Sequence, residues 1–517
     1  MDLNKYFASA VEEHAKNIPD RIAVNDNGRY TKTWKELADD VTRVSNSFLN
    51  LGLKKGDSIA TLLKPGYGFH VVFMAASTVG LTVVPLDMRF KANEAAELCN
   101  RTNPRILISS AFPVNDVVKD YDKFEYIYAY EDEIDYPGAL PYEKLLEGSL
   151  TPIPEEQKGS ADDTLIIVFT SGTTGMPKGA MITNRNCWWI SKNAAETWEF
   201  THDDIVCNYL PTSHCACVND EITLAIFAGC TSFCMPGFDP LEVIKAIEKQ
   251  RITYILTIPT VFRLLMLNVD MKKFDLTSMR ALILSGESVS AELASVVNDY
   301  FPNTHVISSW GMSETAGYFT LTKPSDPLEI VCTTEGSPKG YNMMRPLKDD
   351  GAWAKIGELG ELCITGPQVV PGYMDKEHTE ATFFEKDGAR WMKTGDTGYM
   401  DESGYMHFVG RCKEMYISGG YNVYPPEIEA YLGKHEKINA AAVVGVSDPV
   451  WGEVGYAFIQ PEKDIELTAE EVNIYCKEGL ADYKRPKKVF IRTDIPKTAI
   501  GKIEKKTINN NIDFYTS

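Results

Sequence analysis

No apolar run in this chain is long and unbroken enough to suggest a membrane span. The longest, Phe69 to Leu86, contains His70, Gly80 and Pro85. It reads as a buried helix to about Val79 followed by a strand at Leu81–Val84. The opening MDLNKYFASAVEEHAKN is charged and lacks an apolar core, so no export signal is expected. Positive charge is in short supply. Lys+Arg number 52 against 72 Asp+Glu, a net charge of −20, which argues against nucleic acid or an anionic membrane as main partner. Cysteine has no pattern either: eleven residues, an odd number at irregular spacing, predict free thiols in a reducing cytoplasm. Cys215-x-Cys217 beside His214 has no second Cys/His pair nearby, so no structural zinc is expected. Internal repeats and low-complexity segments are also missing.

What is present belongs to a globular chain, 44% hydrophobic and 24% charged. At 517 residues it exceeds one ordinary core, so two or more domains are expected. Thr33 to Glu36 is a capping box, and Leu37, Val41, Val44 and Phe48 recur at helical spacing until Gly52. Strand-like runs follow at Ser58–Leu63, Leu81–Val84 and Arg105–Ser109, with helices between them. Further strands are predicted near Ile205–Leu210, Tyr254–Ile258 and Ala281–Ser285, and helices near Val218–Ala228, Pro240–Gln250 and Ala291–Tyr300. Such alternation implies α/β architecture with parallel sheets covered by helices. From Gly357 to Val409 the segments are short, turn-rich and strand-like, which suits a small barrel-like β layer. A compact α/β segment of about a hundred residues follows, joined by Val409-Gly410-Arg411-Cys412-Lys413, a connection short enough for a hinge.

The stretch Thr164 to Gly179, TLIIVFTSGTTGMPKG, carries the first chemistry. Leu165 to Phe169 reads as a strand buried on both faces. It breaks into Thr170, Ser171, Gly172, Thr173, Thr174 and Gly175, residues too small to hold a polyanion away. Their N–H and hydroxyl groups, with the Lys178 cation, make a phosphate cradle. A Walker A loop would end in Gly-Lys-Ser/Thr, but Gly179 follows Lys178. A dinucleotide fingerprint would need a third glycine after Gly172 and Gly175.

This segment resembles the signature of the adenylate-forming superfamily, which includes acyl-CoA synthetases, aryl-CoA ligases, adenylation domains and luciferases. Other stretches match it in order. SSWGMSET, Ser308 to Thr315, resembles the family's aromatic-Gly-x-Thr/Ser-Glu motif, with Trp310 where Tyr is usual. The resemblance implies that Trp310, Gly311 and Met312 border the adenine, that Ser313 donates to a phosphate, and that Glu314 holds Mg²⁺, a hard ion suited to carboxylate oxygen. KTGDTGY implies that Asp396 accepts the ribose hydroxyls, two oxygens serving two donors, with Arg411 as the ribose or phosphate arginine. Gly286, Glu287 and Ser288 resemble the loop beside the adenine. SGGYNVYPPEIE implies that Ser418, Gly419, Gly420 and Tyr421 line the pantetheine path of coenzyme A. TAIGK after Pro496 implies that Lys502 neutralises charge between carboxylate and α-phosphate.

The resemblance spans almost the whole chain and implies a large N-terminal adenylation domain over residues 1–410. It would hold two helix-covered sheets and the barrel-like layer. A hinge at 411–413, with Lys413 as the pivot, would lead to a small mobile α/β domain at 414–517. The implied enzyme is cytoplasmic, a monomer or homodimer. It joins a small carboxylic acid to coenzyme A through an acyl-adenylate, using ATP and Mg²⁺. Alternatives are a stand-alone enzyme that loads a carrier protein, a luciferase-type oxygenase, and a non-catalytic relative. The acyl pocket is expected along the segment after Leu210-Pro211-Thr212-Ser213-His214, with His214, Val218, Asn219 and Asp220 as its residues. Asn219 and Asp220 are polar where fatty-acid and aryl ligases are apolar. Either they cap the helix that runs to Ala228, or they face the pocket, where an unpaired buried carboxylate would want a cationic or hydroxyl-bearing substrate. The expected acid is then short and polar or cationic, carnitine-like in character.

Overall fold

Runs of apolar and β-branched residues ending at turn residues form the parallel strands of the protein, seen here in a computed structural model. It describes residues 2–90, 92–110, 121–130, 138–170, 178–258, 261–262, 265–266, 269–285, 289–418, 421–480, 482–497 and 503–516. The chain divides into two units, the first comprising 1–343 and 365–392, the second 344–364 and 393–517.

The first unit holds two large sheets. In one, Ile22–Asp26, Thr231–Cys234, Ile205–Asn208, Tyr254–Thr257, Ala281–Ser285 and His305–Met312 lie side by side and parallel. Antiparallel strands flank them, Tyr30–Thr33 on one side and Gly317–Leu321 followed by Ser337–Pro338 on the other. The second sheet runs Leu140–Pro141, Tyr126–Ala129, Ile106–Ser109, Ser58–Leu62, Thr82–Pro85, Thr164–Thr170, Lys178–Thr183, parallel except for the last pairing. Every residue of helix Tyr67–Val79 is buried, as an all-round apolar helix requires. It packs against strands of both sheets, and Gly80 ends it at φ 71°. The predicted capping box is present: Thr33 and Glu36 exchange hydrogen bonds at the start of helix Trp34–Asn50.

One expected helix differs in kind. The segment near Val218–Ala228 begins earlier, as a π-helix over Ala216–Ile222, and tightens to an α-helix at Thr223–Ala228. Side chains take up carbonyls along it. The Thr223 hydroxyl donates to Asn219 O at 2.7 Å and the Tyr254 hydroxyl to Asp220 O at 3.2 Å.

In the second unit, Met343–Leu347, Gly360–Thr365, the latter half of Ala389–Met400 and Met406–Arg411 contribute to a curled half-barrel layer. The long hairpin Ile438–Asp448 with Gly452–Pro461 is flanked by Tyr416–Ser418, Tyr421–Val423 and Lys488–Ile491. Helices Pro425–Leu432 and Ala469–Gly479 share its core through Ile428, Leu432, Val443, Ile459 and Val472. Among the described residues no helix is long and apolar enough to cross a membrane, and all eleven cysteines are free thiols.

Candidate active site

The glycine-rich stretch joins two antiparallel strands of the second sheet, with Thr170 opposite Lys178. Ser171, Gly172, Thr173, Thr174, Gly175 and the Thr170 side chain lie outside the described residues. Lys178 stands at the start of the return strand, and its Nζ lies 5.2 Å from the centre of the Tyr373 ring. That ring is placed by backbone: Met181 N–H donates to Gly372 O at 3.1 Å and Met374 N–H to Gly179 O at 2.9 Å. The Tyr373 hydroxyl then donates to Glu314 Oε1 at 2.5 Å. Burial first, and the Glu314 charge second, hold that phenol protonated. Lys178, Tyr373 and Glu314 therefore form one cation–aromatic–carboxylate row, drawn from three distant stretches of sequence.

Glu314 sits in the turn Ser313–Thr315 and is buried. Its backbone oxygen accepts from Val370 N–H at 2.9 Å. Gln368, fully buried, fixes the turn from beneath, donating to Thr315 O at 2.9 Å and accepting from the Asn193 and Asn342 amides. While Oε1 takes the tyrosine hydrogen bond, Oε2 takes none from the described residues. An anionic oxygen held in a rigid turn is the donor a magnesium ion would need, so the residues fit that ion. Trp310, on the strand leading into the turn, is nearly buried and meets Phe319 edge-on at 6.3 Å.

Ser313 Oγ lies 3.8 Å from Cys215 Sγ, which brings the start of the π-helix to the same turn. His214 Nδ1 accepts from Ala216 N–H at 3.1 Å, so a neutral ring carries its proton on Nε2. Beyond it Val218, Asn219 and Asp220 are all buried, and neither polar residue caps a helix. Asn219 Oδ1 accepts from the Cys187 thiol at 3.5 Å and Asp220 Oδ1 from Tyr318 N–H at 3.1 Å. Gly317 makes this approach possible: at φ 139°, a Cβ there would fall 2.0 Å from Asp220 Oδ1. Asp220 thus has a partner within the fold, while its neighbour Glu221 has no hydrogen bond among the described residues.

In the second unit Asp396 and Arg411 face each other across antiparallel strands, with Arg411 Nε 3.2 Å from Asp396 Oδ1. The carboxyl is buried and the guanidinium exposed. Lys413 lies in a turn where Glu414 N–H and Met415 N–H both donate to Arg411 O at 3.1 Å. Ser418 is buried opposite Tyr421 in a strand pair. Of the described residues on either side of 498–502, Glu504 N–H donates to Pro496 O at 2.8 Å. Gly286, Glu287, Ser288, Gly419, Gly420 and Lys502 lie outside the described residues.

Three site residues escaped the sequence reading: Tyr373, Gln368 and Glu221. The first two follow Gly366-Pro367 and Gly372, turn signals that could have drawn attention to them. Glu221 gave no such signal.

The AMP-binding enzyme family matches residues 11–374, and the AMP-binding enzyme C-terminal domain matches 427–502. Indoleacetate–CoA ligase of Aromatoleum aromaticum is 30% identical over 498 residues, 96% of each chain. ATP-bound MatB of Rhodopseudomonas palustris superposes with a TM-score of 0.87 at 25% identity, over 98% of this chain and 99% of that one. The o-succinylbenzoate CoA synthetase of Bacillus subtilis, solved with its acyl-adenylate intermediate, gives 0.82 at 25% identity over 98% of both. The chain belongs to the AMP-binding enzyme family, the adenylate-forming superfamily, and is an AMP-forming acid–thiol ligase.

Proposed function

We propose that this ligase joins a carboxylic acid to coenzyme A with ATP and Mg²⁺, and that the residues named above divide the work. The row Lys178–Tyr373–Glu314 is the observation that supports this reading most. It sets a cation and a half-occupied carboxylate beside the sequence expected to cradle phosphates. Mg²⁺ held on Glu314 would supply charge neutralisation for the phosphates.

In the first half-reaction a substrate carboxylate oxygen attacks the α-phosphorus, the bond to pyrophosphate breaks, and an acyl-adenylate forms. Lys178 meets phosphate charge, as do the donors at Thr170–Gly175. Trp310 and the segment 286–288 border the base, and Asp396 accepts from the ribose hydroxyls with Arg411 beside it. Lys502 neutralises charge that develops between carboxylate and α-phosphate. Proton placement on His214 Nε2 leaves a donor for the substrate carboxylate. In the second half-reaction the coenzyme A sulfur attacks the acyl carbon and the bond to AMP breaks. Ser418–Tyr421 border the pantetheine. We place the domain limits at 1–410 and 414–517, with Lys413 the hinge that lets one site serve both steps.

Acid-dependent AMP formation, measured with and without coenzyme A over a panel of acids, tests this. Pyrophosphate release without coenzyme A and thioester only with it are expected. Acid-dependent AMP formation that yields thioester only on an added carrier protein would overturn the coenzyme A assignment.

A further inference from the structure

The π-helix Ala216–Ile222 starts beside the Ser313 turn and carries Glu221, seven residues after His214, at a wholly buried position. Among the described residues neither of its carboxyl oxygens has a hydrogen-bond partner. Other unpartnered polar atoms belong to buried residues of the same region, namely Asn219 Nδ2 on the same helix and the Tyr318 hydroxyl. Burial of a carboxyl without a partner is costly, and such a group in a fold calls for a ligand or resident water to complete it. A π-helical turn is a common accompaniment of such sites.

Resting on the ligase reading above, we infer that Glu221 is the binding partner of a cationic nitrogen on the acid substrate. This chain would then activate amino or guanidino carboxylic acids, with the ammonium or guanidinium at the end of the tail opposite the reacting carboxylate. Two bare oxygens call for N–H donors, and a charged donor suits them better than a hydroxyl. The titratable groups acting on Glu221 or affected by it are Asp220 and Cys217 on its own helix, Cys207, Tyr209, Cys234, Tyr254 and Tyr318. None is a cation. Burial, and secondly the neighbouring Asp220, push the Glu221 carboxyl well above the usual range. Burial therefore favours the protonated carboxyl, and a cationic partner would favour release of that proton. Asp220 cannot take this part as readily, since Tyr318 N–H already occupies one of its oxygens.

The test uses the full chain with ATP, Mg²⁺ and coenzyme A. AMP formation is measured for pairs of acids of equal length, each pair an ω-amino acid and its methyl-ended isostere, with one guanidino acid added. The amino or guanidino member is expected to have at least a ~10-fold higher kcat/KM at one tail length. Its KM should fall as pH rises while that of the isostere stays level. Glu221→Gln should erase the preference by raising KM for the amino acid without raising KM for ATP. Glu221→Asp, which keeps the charge, should retain part of it. Methyl-ended acids turned over equally well at every length would overturn the inference and leave the ligase reading intact. So would a preference indifferent to Glu221→Gln, which would mark Glu221 as the holder of a buried water. Failure of every acid to support AMP formation would overturn the ligase reading and this inference together.

Discussion

Two buried glutamates in the first unit receive opposite treatment. Glu314, in the turn Ser313–Thr315, has one oxygen held by Tyr373 and its backbone oxygen by Val370 N–H. Glu221, seven residues after His214 and near the end of the π-helix, has neither oxygen held among the described residues. The first suits a carboxyl held in one orientation for the magnesium ion we propose it binds. The second fits a carboxyl completed only by one particular ligand. Common chemistry is thus built from several supporting residues, and individual specificity rests on a group left bare.

Several measurements can break or sharpen this contrast. The largest effect is expected at Lys502. Its replacement by alanine should cost at least ~10²-fold in adenylation, the scale of one electrostatic donor lost from a transition state. Conversion of a supplied acyl-adenylate to thioester should persist. An equal fall in both half-reactions, with the fold intact by circular dichroism, would rule out a lysine confined to the first step. Next comes Lys413→Pro. A proline fixes φ near −65°, so adenylation should survive while thioester formation falls. A mild loss in both steps alike would reduce Lys413 to an ordinary surface residue.

Asp396→Asn should raise KM for ATP about tenfold, as expected for losing one charge-assisted hydrogen bond, and leave KM for the acid alone. A change confined to the acid would remove Asp396 from the nucleotide side. The smallest effect concerns stability. Glu221→Met should stabilise the folded chain by about 1 kcal/mol, because a bare buried carboxyl is replaced by an apolar group of similar length. The sign with pH follows from linkage. Glu221 holds its proton more tightly when folded, so the native state binds more protons than the unfolded one above the ordinary carboxyl range. Its contribution is then lost as pH rises through that window. Thermal unfolding of wild type should therefore weaken more steeply with rising pH than that of Glu221→Met. Parallel curves would show that Glu221 is charged and satisfied in the fold.

Much of this was legible in the sequence. The strands Ala281–Ser285 and Ile106–Ser109 and the helix Tyr67–Val79 follow from runs of apolar residues closed by turn residues such as Gly80. The motifs around Glu314 and Asp396 are legible through their resemblance to those of the adenylate-forming superfamily. What escaped depends on tertiary approach. Tyr373 matters because Gly372–Met374 lies along the strand Lys178–Thr183, a contact across nearly two hundred residues that no local pattern encodes. The π-helix escaped because its sequence reads as ordinary α-helix. The shift that buries Glu221 depends on Tyr254 and Thr223 taking up carbonyls. For Asp220 the sequence leaves a helix cap or a pocket-facing carboxyl open; it is buried, and its donor is a backbone N–H made reachable by Gly317.

The most direct test of the whole is pyrophosphate release by the purified chain with ATP and Mg²⁺, with and without acid, before any coenzyme A is added. Release that depends on a carboxylic acid, followed by thioester and AMP only when coenzyme A arrives, is the expected result. Release indifferent to the acid, or none with any acid, would contradict an acyl-adenylate mechanism.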